Sequence, residues 1–216
     1  MRRALILLCW MVLESSLAAQ RTAQLVQTEI RQAEKEVPQL AEVLQLESGM
    51  IVADVGSGGG AMSLVMSRHL GESGRVYTTD IRPEMLAEIR ELVARERLAN
   101  VTVLEGAARS TNLPDACCDA IFVRDVYHHL TSPADINRSL LAALKPGGRL
   151  AVIDFEPEQG SKVPDGVPAN RGGHGVPPTV VVDEVRAEGL TYVRTISQWP
   201  PNDERAGLFL VLFRKP

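Results

Sequence analysis

One segment limits the fold more than any other. Asp54-Val-Gly56-Ser-Gly58-Gly59-Gly60-Ala61 lies between a compact apolar run, Ile51–Val55, and a helical pattern, Ala61–Leu70. Glycines placed between a strand and a helix permit a tight turn and let a ligand approach the backbone closely. The helix that follows presents unpaired N–H groups to whatever sits in the loop. Asp80 ends the next strand pattern, Arg75–Thr79. A carboxylate there can accept hydrogen bonds from both hydroxyls of a ribose. In an open α/β sheet ligands bind beyond the carboxyl ends of the strands, so the loop and Asp80 mark one nucleoside-sized site.

The rest of the chain alternates in the same way. Thr22–Glu36 carries Ala23, Val26, Ile30 and Ala33 at helical spacing. Val37-Pro38 is expected to break that helix and Gln39–Leu46 to form a second. Pro83 suits the first turn of a helix running toward Leu98. Val101–Leu104 and Ala120–Val123 read as the third and fourth strands. Ser132, as N-cap, and Pro133 start a helix that reaches Leu144 and is stopped by Lys145-Pro146-Gly147-Gly148. Arg149–Phe155 is the fifth strand. Glu156–Val176 is a loop with five Gly and three Pro, long enough to suggest a functional segment. Pro178–Glu188 is helical. Thr191–Ile196 and Leu208–Phe213 then close the chain as two strands with no helix between them, an antiparallel hairpin at a sheet edge. Strands alternating with helices predict an α/β fold with a mostly parallel sheet.

Composition narrows the function. The 216 residues are 45% hydrophobic and 23% charged, as in globular domains. A net charge of −4 and 4% aromatics argue against a nucleic-acid partner, which wants a basic surface and stacking rings. No apolar run reaches the ~18–20 residues of a membrane span. The start of the chain differs from the body. Arg2 and Arg3 precede the apolar run Ala4–Leu13, and Ser15–Ala19 is rich in small residues. These are the parts of a secretory signal peptide, with cleavage after Ala18 or Ala19. Residues 1–19 are therefore expected to be a signal-like or anchoring segment and residues 20–216 one domain, with membrane association through the N-terminal segment only. Cys117 and Cys118 are adjacent and close only a strained ring, so they build no disulfide framework.

Gly56-x-Gly58-x-x-Ala61 also satisfies the dinucleotide fingerprint, with Asp80 suitably placed for NAD. Further residues shift the balance. Asp54 stands two residues before the first glycine, completing an Asp54, Gly56, Gly58, Gly60 register. With Val52–Gly60, Asp80-Ile-Arg-Pro-Glu-Met-Leu86, Glu105-Gly-Ala-Ala108, Leu113-Pro-Asp115, Cys118-Asp-Ala120, Val126-Tyr-His-His-Leu130 and Leu144-Lys-Pro-Gly-Gly148 in this order, the chain resembles the class I S-adenosylmethionine-dependent methyltransferases that act on small molecules.

That resemblance implies a Rossmann-like, doubly wound, mostly parallel seven-stranded sheet, with helices on both faces and an antiparallel C-terminal hairpin. It implies S-adenosylmethionine as methyl donor and a small-molecule acceptor as partner. Asp54 and the loop residues Gly56, Ser57, Gly58 and Gly60 would hold the methionine part of the cofactor. Asp80 would bind the ribose and Ile81 the adenine face, while Ala107 and Ala108 would line the adenine edge. Arg124 and Asp125 would face the methionine end and the acceptor. Relatives commonly carry an acidic residue where Ala107 stands, to accept a hydrogen bond from the adenine amino group.

Methyl transfer from a sulfonium is an in-line displacement, so the protein chiefly aligns the acceptor and excludes water. Asp125, His128 and His129 are the candidate bases for an acceptor that must lose a proton. Tyr127, and His174 in the long Gly/Pro loop, are candidate acceptor contacts, the loop folding over the site as a lid. Adjacent histidines are expected to point in different directions, so no metal is assigned to His128, His129 and His174. Two other readings stay open at this point. An NAD-dependent oxidoreductase would want a Tyr-x-x-x-Lys pair, but Tyr127 is followed four residues on by Thr131. A non-catalytic nucleoside-cofactor-binding protein of the same fold is suggested by Ala107. The signal-like start adds to this reading, since it suggests export or membrane attachment whereas the cofactor is made in the cytoplasm.

Overall fold

The computed structural model describes residues 24–201, 203 and 207–216. The signal-like segment expected at residues 1–19 lies outside them. The elements run α1 (24–44), β1 (Ile51–Val55), α2 (Ala61–Leu70), β2 (Arg75–Asp80), α3 (Pro83–Arg95), β3 (Val101–Glu105) and β4 (Cys118–Arg124). A 3₁₀ turn, Tyr127–His129, leads to α4 (Pro133–Ala143), β5 (Leu144–Phe155), α5 (Pro178–Ala187), β6 (Thr191–Trp199) and β7 (Leu208–Arg214).

The seven strands form one sheet in the order β3-β2-β1-β4-β5-β7-β6. β1 to β5 are parallel, and β7 runs antiparallel between β5 and β6. The doubly wound sheet with an antiparallel C-terminal hairpin is thus as expected. β4 shows why the sheet is covered on both faces. Ala120, Ile121, Phe122 and Val123 are all fully buried, the continuous apolar run of a parallel strand. Ile121 and Val123 join Leu140, Val152, Val181 and Val185 in the core under α4 and α5. Ala120 and Phe122 join Val37, Leu40, Met66 and Leu70 in the core under α1 and α2.

Several local expectations are corrected. The N-terminal helix does not break at Val37-Pro38 but runs through it to residue 44. Pro38 loses one ladder hydrogen bond, yet Ala33, Val37, Leu40, Ala41 and Leu44 are all buried on one side of the continuous helix, and that burial outweighs the loss. α3 ends at Arg95, short of Leu98. The Lys145–Gly148 segment belongs to a longer β5, whose pairing with β4 shifts register between Cys118 and Ala120. Ser132 stands at the N-cap of α4 but makes no side-chain cap bond. Cys117 and Cys118 are joined as a vicinal disulfide in the turn before β4, which closes no long loop. Among the described residues no helix is long and apolar enough to cross a membrane.

Candidate active site

The strand order reverses between β1 and β4, and the loops after these strands meet there. Gly56 and Gly58 have φ of 76° and 55°, left-handed conformations that glycine adopts without strain. A Cβ on Gly56 would meet Val126 at 2.6 Å, so the glycine loop lies directly against the segment after β4. Gly56 and Ser57 donate their amides to the Thr79 carbonyl at 2.8 and 2.9 Å, folding the loop back over the end of β2. A Cβ on Gly58 would meet nothing within 4 Å, so this glycine borders open space.

Asp80 organises that space. It is 4% exposed. Its Oδ2 accepts the Gly58 amide at 3.0 Å and its Oδ1 the Arg82 amide at 2.9 Å. The exposed Arg82 guanidinium also reaches it, with Nε at 3.2 Å from Oδ1. Beside it Ile81 leaves 59% of its surface in solvent, an apolar face with no protein cover. Asp80, Ile81 and Arg82 wall a cavity of about 580 Å³ with Ala107, Ala108, Asp125 and His129. A second cavity, about 360 Å³, opens on the other side of Asp125 toward Gly58, Met62, Glu36 and Arg124. Gly56, Arg82, Asp125 and Val126 line both. A larger hollow of about 880 Å³ lies at the opposite, amino end of the strands, among the turns near Gly71–Arg75 and Arg97–Asn100. It is remote from the carboxyl-end loops where ligands of such sheets bind.

Asp54 does not line either cavity beside the glycine loop. It lies beneath the loop, 2% exposed, and accepts the Ser63 hydroxyl at 2.7 Å. Loss of hydration pushes its carboxyl up to about 7, against the Ser63 hydrogen bond and the Arg124 charge. The native state therefore holds a proton that the unfolded chain releases near pH 4. The contribution of Asp54 to stability is complete below its unfolded pKa and is lost as pH rises to about 7. Asp54→Asn is expected to flatten the urea-unfolding stability profile between pH 5 and pH 7, where the wild type loses up to about 1.4 kcal/mol per pH unit from this group.

Two carboxylates that sequence patterns did not single out complete the frame. Glu36 of α1, 2% exposed, receives Arg124 Nε at 2.9 and 3.0 Å and Trp199 Nε1 at 2.8 Å. It thereby fixes the guanidinium at the end of β4. Its signal was available, since Glu36 shares a helix face with Ala33, Val37 and Leu40. Asp154 of β5 is fully buried and accepts His128 Nδ1 at 2.8 Å, the His128 amide at 3.0 Å and the Phe155 amide at 2.9 Å.

Asp125 adopts φ 58°, a left-handed conformation uncommon outside glycine. It sits exposed at the junction of the two cavities. His128, His129 and His174 are brought together, with ring centroids 3.9, 4.9 and 5.6 Å apart in pairs. The expectation that the adjacent histidines diverge is thus overturned. The 3₁₀ turn and the Asp154 bond bring the His128 ring beside its neighbour. Desolvation, with His128 and His174 nearby, holds His129 below the ordinary histidine range and so keeps it neutral.

Tyr127, by contrast, is fully buried and lines neither cavity. Its hydroxyl donates to Glu184 at 3.0 Å and accepts Asn137 Nδ2 at 2.8 Å. Burial and the Glu184 charge push its phenol well above the usual tyrosine range. Its place is in the packing behind the site. Nor is the long loop a free lid. Arg171 is fully buried and pairs with Glu184 of α5 at 2.7 Å, and the Val176 amide bonds to the Phe155 carbonyl.

At the adenine edge expected by resemblance, Ala107 exchanges both backbone hydrogen bonds with Ser110, and its side chain is a methyl group only. Glu105 ends β3 with its carbonyl taken by Asn112.

Comparisons with known proteins agree with this geometry. A family model described as "Methyltransferase domain" matches residues 53–152. The chain is 36% identical over 115 residues to a ubiquinone/menaquinone biosynthesis C-methyltransferase UbiE of Azotobacter vinelandii, covering 53% of this chain and 46% of that protein. It spans about half the length of the curated relatives it matches. A crystal structure of a SAM-dependent methyltransferase from Aquifex aeolicus is 28% identical, with a TM-score of 0.67, over 83% of this chain and 89% of that one. A putative sarcosine dimethylglycine methyltransferase from Galdieria sulphuraria, 19% identical, shares the fold at a TM-score of 0.67, over 86% of this chain and 85% of that one. The oxidoreductase and non-catalytic readings find no support in these comparisons. The matched segment contains the glycine loop, Asp80 and the β4 end, and together these comparisons support a class I S-adenosylmethionine-dependent methyltransferase.

Proposed function

We propose that this protein transfers the methyl group of S-adenosylmethionine to a small-molecule acceptor held between Asp125, Val126 and His129. The observation that carries the reading is the pairing of the Asp80 carboxylate with the uncovered Ile81 face on the wall of one cavity at the carboxyl end of the sheet. The residues fit the cofactor. Asp80 offers acceptors for the ribose hydroxyls, Ile81 an apolar face for the adenine, and Gly58 leaves open space where any side chain would intrude. Glu36, Arg124 and Ser57 line the second cavity, which suits the methionine end. The cofactor supplies an electrophilic methyl on a sulfonium. The chain's part is to orient that methyl and to place Asp125 and His129 beside the acceptor.

The UbiE relatives are named as C-methyltransferases of quinone biosynthesis, and the likeness is confined to half their length. Because the likeness is partial, the acceptor class taken over is the broader one, a small molecule. Isothermal titration with S-adenosylhomocysteine tests the reading: micromolar binding is expected, and no detectable binding of either this compound or S-adenosylmethionine would overturn it. A second measurement checks the adenine edge. Ala107→Asp gives the adenine amino group a carboxylate acceptor and is expected to tighten binding about tenfold to a hundredfold, equivalent to about 1–3 kcal/mol.

A further inference from the structure

We propose that His128, His129 and His174 bind one divalent cation of the zinc class at the acceptor side of the cofactor cavity. One ring nitrogen from each lies within 4.8 Å of one from each of the others. Imidazole nitrogens suit zinc and its neighbours, and three of them with a fourth position open is the donor set of a reactive zinc site.

The surroundings are built to hold these rings. His128 is 1% exposed, and its Nδ1 is bonded to Asp154, which is itself anchored by two backbone amides. With Asp154 accepting at Nδ1, the proton lies there and Nε2 carries the free lone pair. A carboxylate behind a ligating histidine is the arrangement that fixes ring orientation and raises ligand basicity in metal sites. His174 is placed by backbone packing rather than by its own side chain. Its amide donates to Ser161 Oγ at 2.8 Å and its carbonyl accepts the Glu158 amide at 3.1 Å. A Cβ on Gly173 would meet Ser161 Oγ at 2.6 Å and one on Gly175 would meet Pro157 at 2.7 Å, so the chain on either side of His174 packs too closely for any residue but glycine. His129 is exposed and lines the 580 Å³ cavity. Zinc–imidazole bonds are about 2.0–2.1 Å, so binding requires side-chain rotation of His129 and His174 to draw the nitrogens closer than they lie here.

A cation so held would border the cavity through His129. There it would take an acceptor through a hydroxyl or thiol and lower the pKa of that group. The acceptor's proton passes to solvent, its lone pair bonds to the methyl carbon, and the carbon–sulfur bond breaks onto sulfur. This use of the site rests on the methyl-transfer reading, whereas cation binding does not.

The test uses the full, untagged chain stripped with a chelator. Zn²⁺ is titrated by calorimetry and Co²⁺ by visible absorption. One ion per chain with saturable, micromolar or tighter affinity is expected, with the intense visible bands of tetrahedral Co²⁺. His129→Ala and His174→Ala should each weaken Zn²⁺ binding by at least about tenfold, His174→Asp should restore part of it, and His69→Ala should change nothing. In the wild type, Zn²⁺ should protect His129 and His174, the two that reach solvent, from diethylpyrocarbonate, a readout that needs no variant. Failure to saturate, or equal affinity in the wild type and both alanine variants, overturns the proposal. Binding of S-adenosylhomocysteine without Zn²⁺ uptake sinks the metal site and leaves the methyltransferase reading standing. Zn²⁺ uptake with no binding of either adenosyl compound does the reverse.

Discussion

Asp80→Ala is expected to weaken S-adenosylhomocysteine binding by about 100-fold or more while leaving the fold intact. Each ribose hydroxyl would donate to an ionised carboxylate, and hydrogen bonds of that kind contribute about 1.5–3 kcal/mol apiece. Two of them correspond to at least about 100-fold in dissociation constant. The substitution also removes the acceptor for the Gly58 amide, which pins the glycine loop to the end of β2. The fold survives because the other loop anchors, the Gly56 and Ser57 amides on the Thr79 carbonyl, do not involve Asp80. Asp80→Asn keeps one acceptor oxygen and should fall between the two. Calorimetric titration of the three proteins decides the matter. A change of less than about threefold in the alanine variant would remove Asp80 from the site, because a single lost hydrogen bond to a charged group already exceeds that.

Asp80 was readable from the sequence because its meaning is local. Loop, helix and carboxylate lie within one strand–helix–strand unit, where spacing alone constrains geometry. The same holds for Ile81 and for Gly56, which lies against Val126. Glu36, Asp154, Arg171 and Glu184 were not readable in this way. Glu36 meets Arg124 across 88 positions and Trp199 across 163, and Tyr127 meets Glu184 across 57. A pattern reading places isolated charges in solvent; Glu36 was marked only by the apolar helix face it shares, and for Asp154, Arg171 and Glu184 only the assembled sheet shows that they face inward. Pro38 failed for a related reason. Its local preference to end a helix was sound, but the apolar face on both sides of it is buried as one surface. For the histidines, sequence adjacency was taken to fix direction. The ring of His128 is instead set by a carboxylate on β5, and His174 arrives from a loop that seemed free to move.

That loop supplies the other large expected effect. Glu184→Ala should destabilise the protein by about 3–5 kcal/mol, the range for breaking one side of a buried ion pair. Arg171 is fully buried, and its guanidinium meets Glu184 at 2.7 and 3.0 Å, with a marginal contact to Asn170 at 3.4 Å. Its Nε has no hydrogen-bond partner even in the intact protein. Glu184 also takes the Tyr127 hydroxyl, so its loss leaves both a buried cation and a buried phenol uncompensated. For a domain of this size the expected fall in melting temperature is about 6–20 °C. Arg171 lies only three residues before His174, so the same change should loosen the His174 segment and raise its amide exchange rates before global unfolding. Adding Arg171→Met to Glu184→Ala separates charge from packing. Replacing a buried pair by apolar side chains is often neutral, so the double variant should regain most of the lost stability. If the single variant loses less than about 1 kcal/mol in urea unfolding, the pair behaves like an exposed one and the loop must be held by its backbone contacts alone.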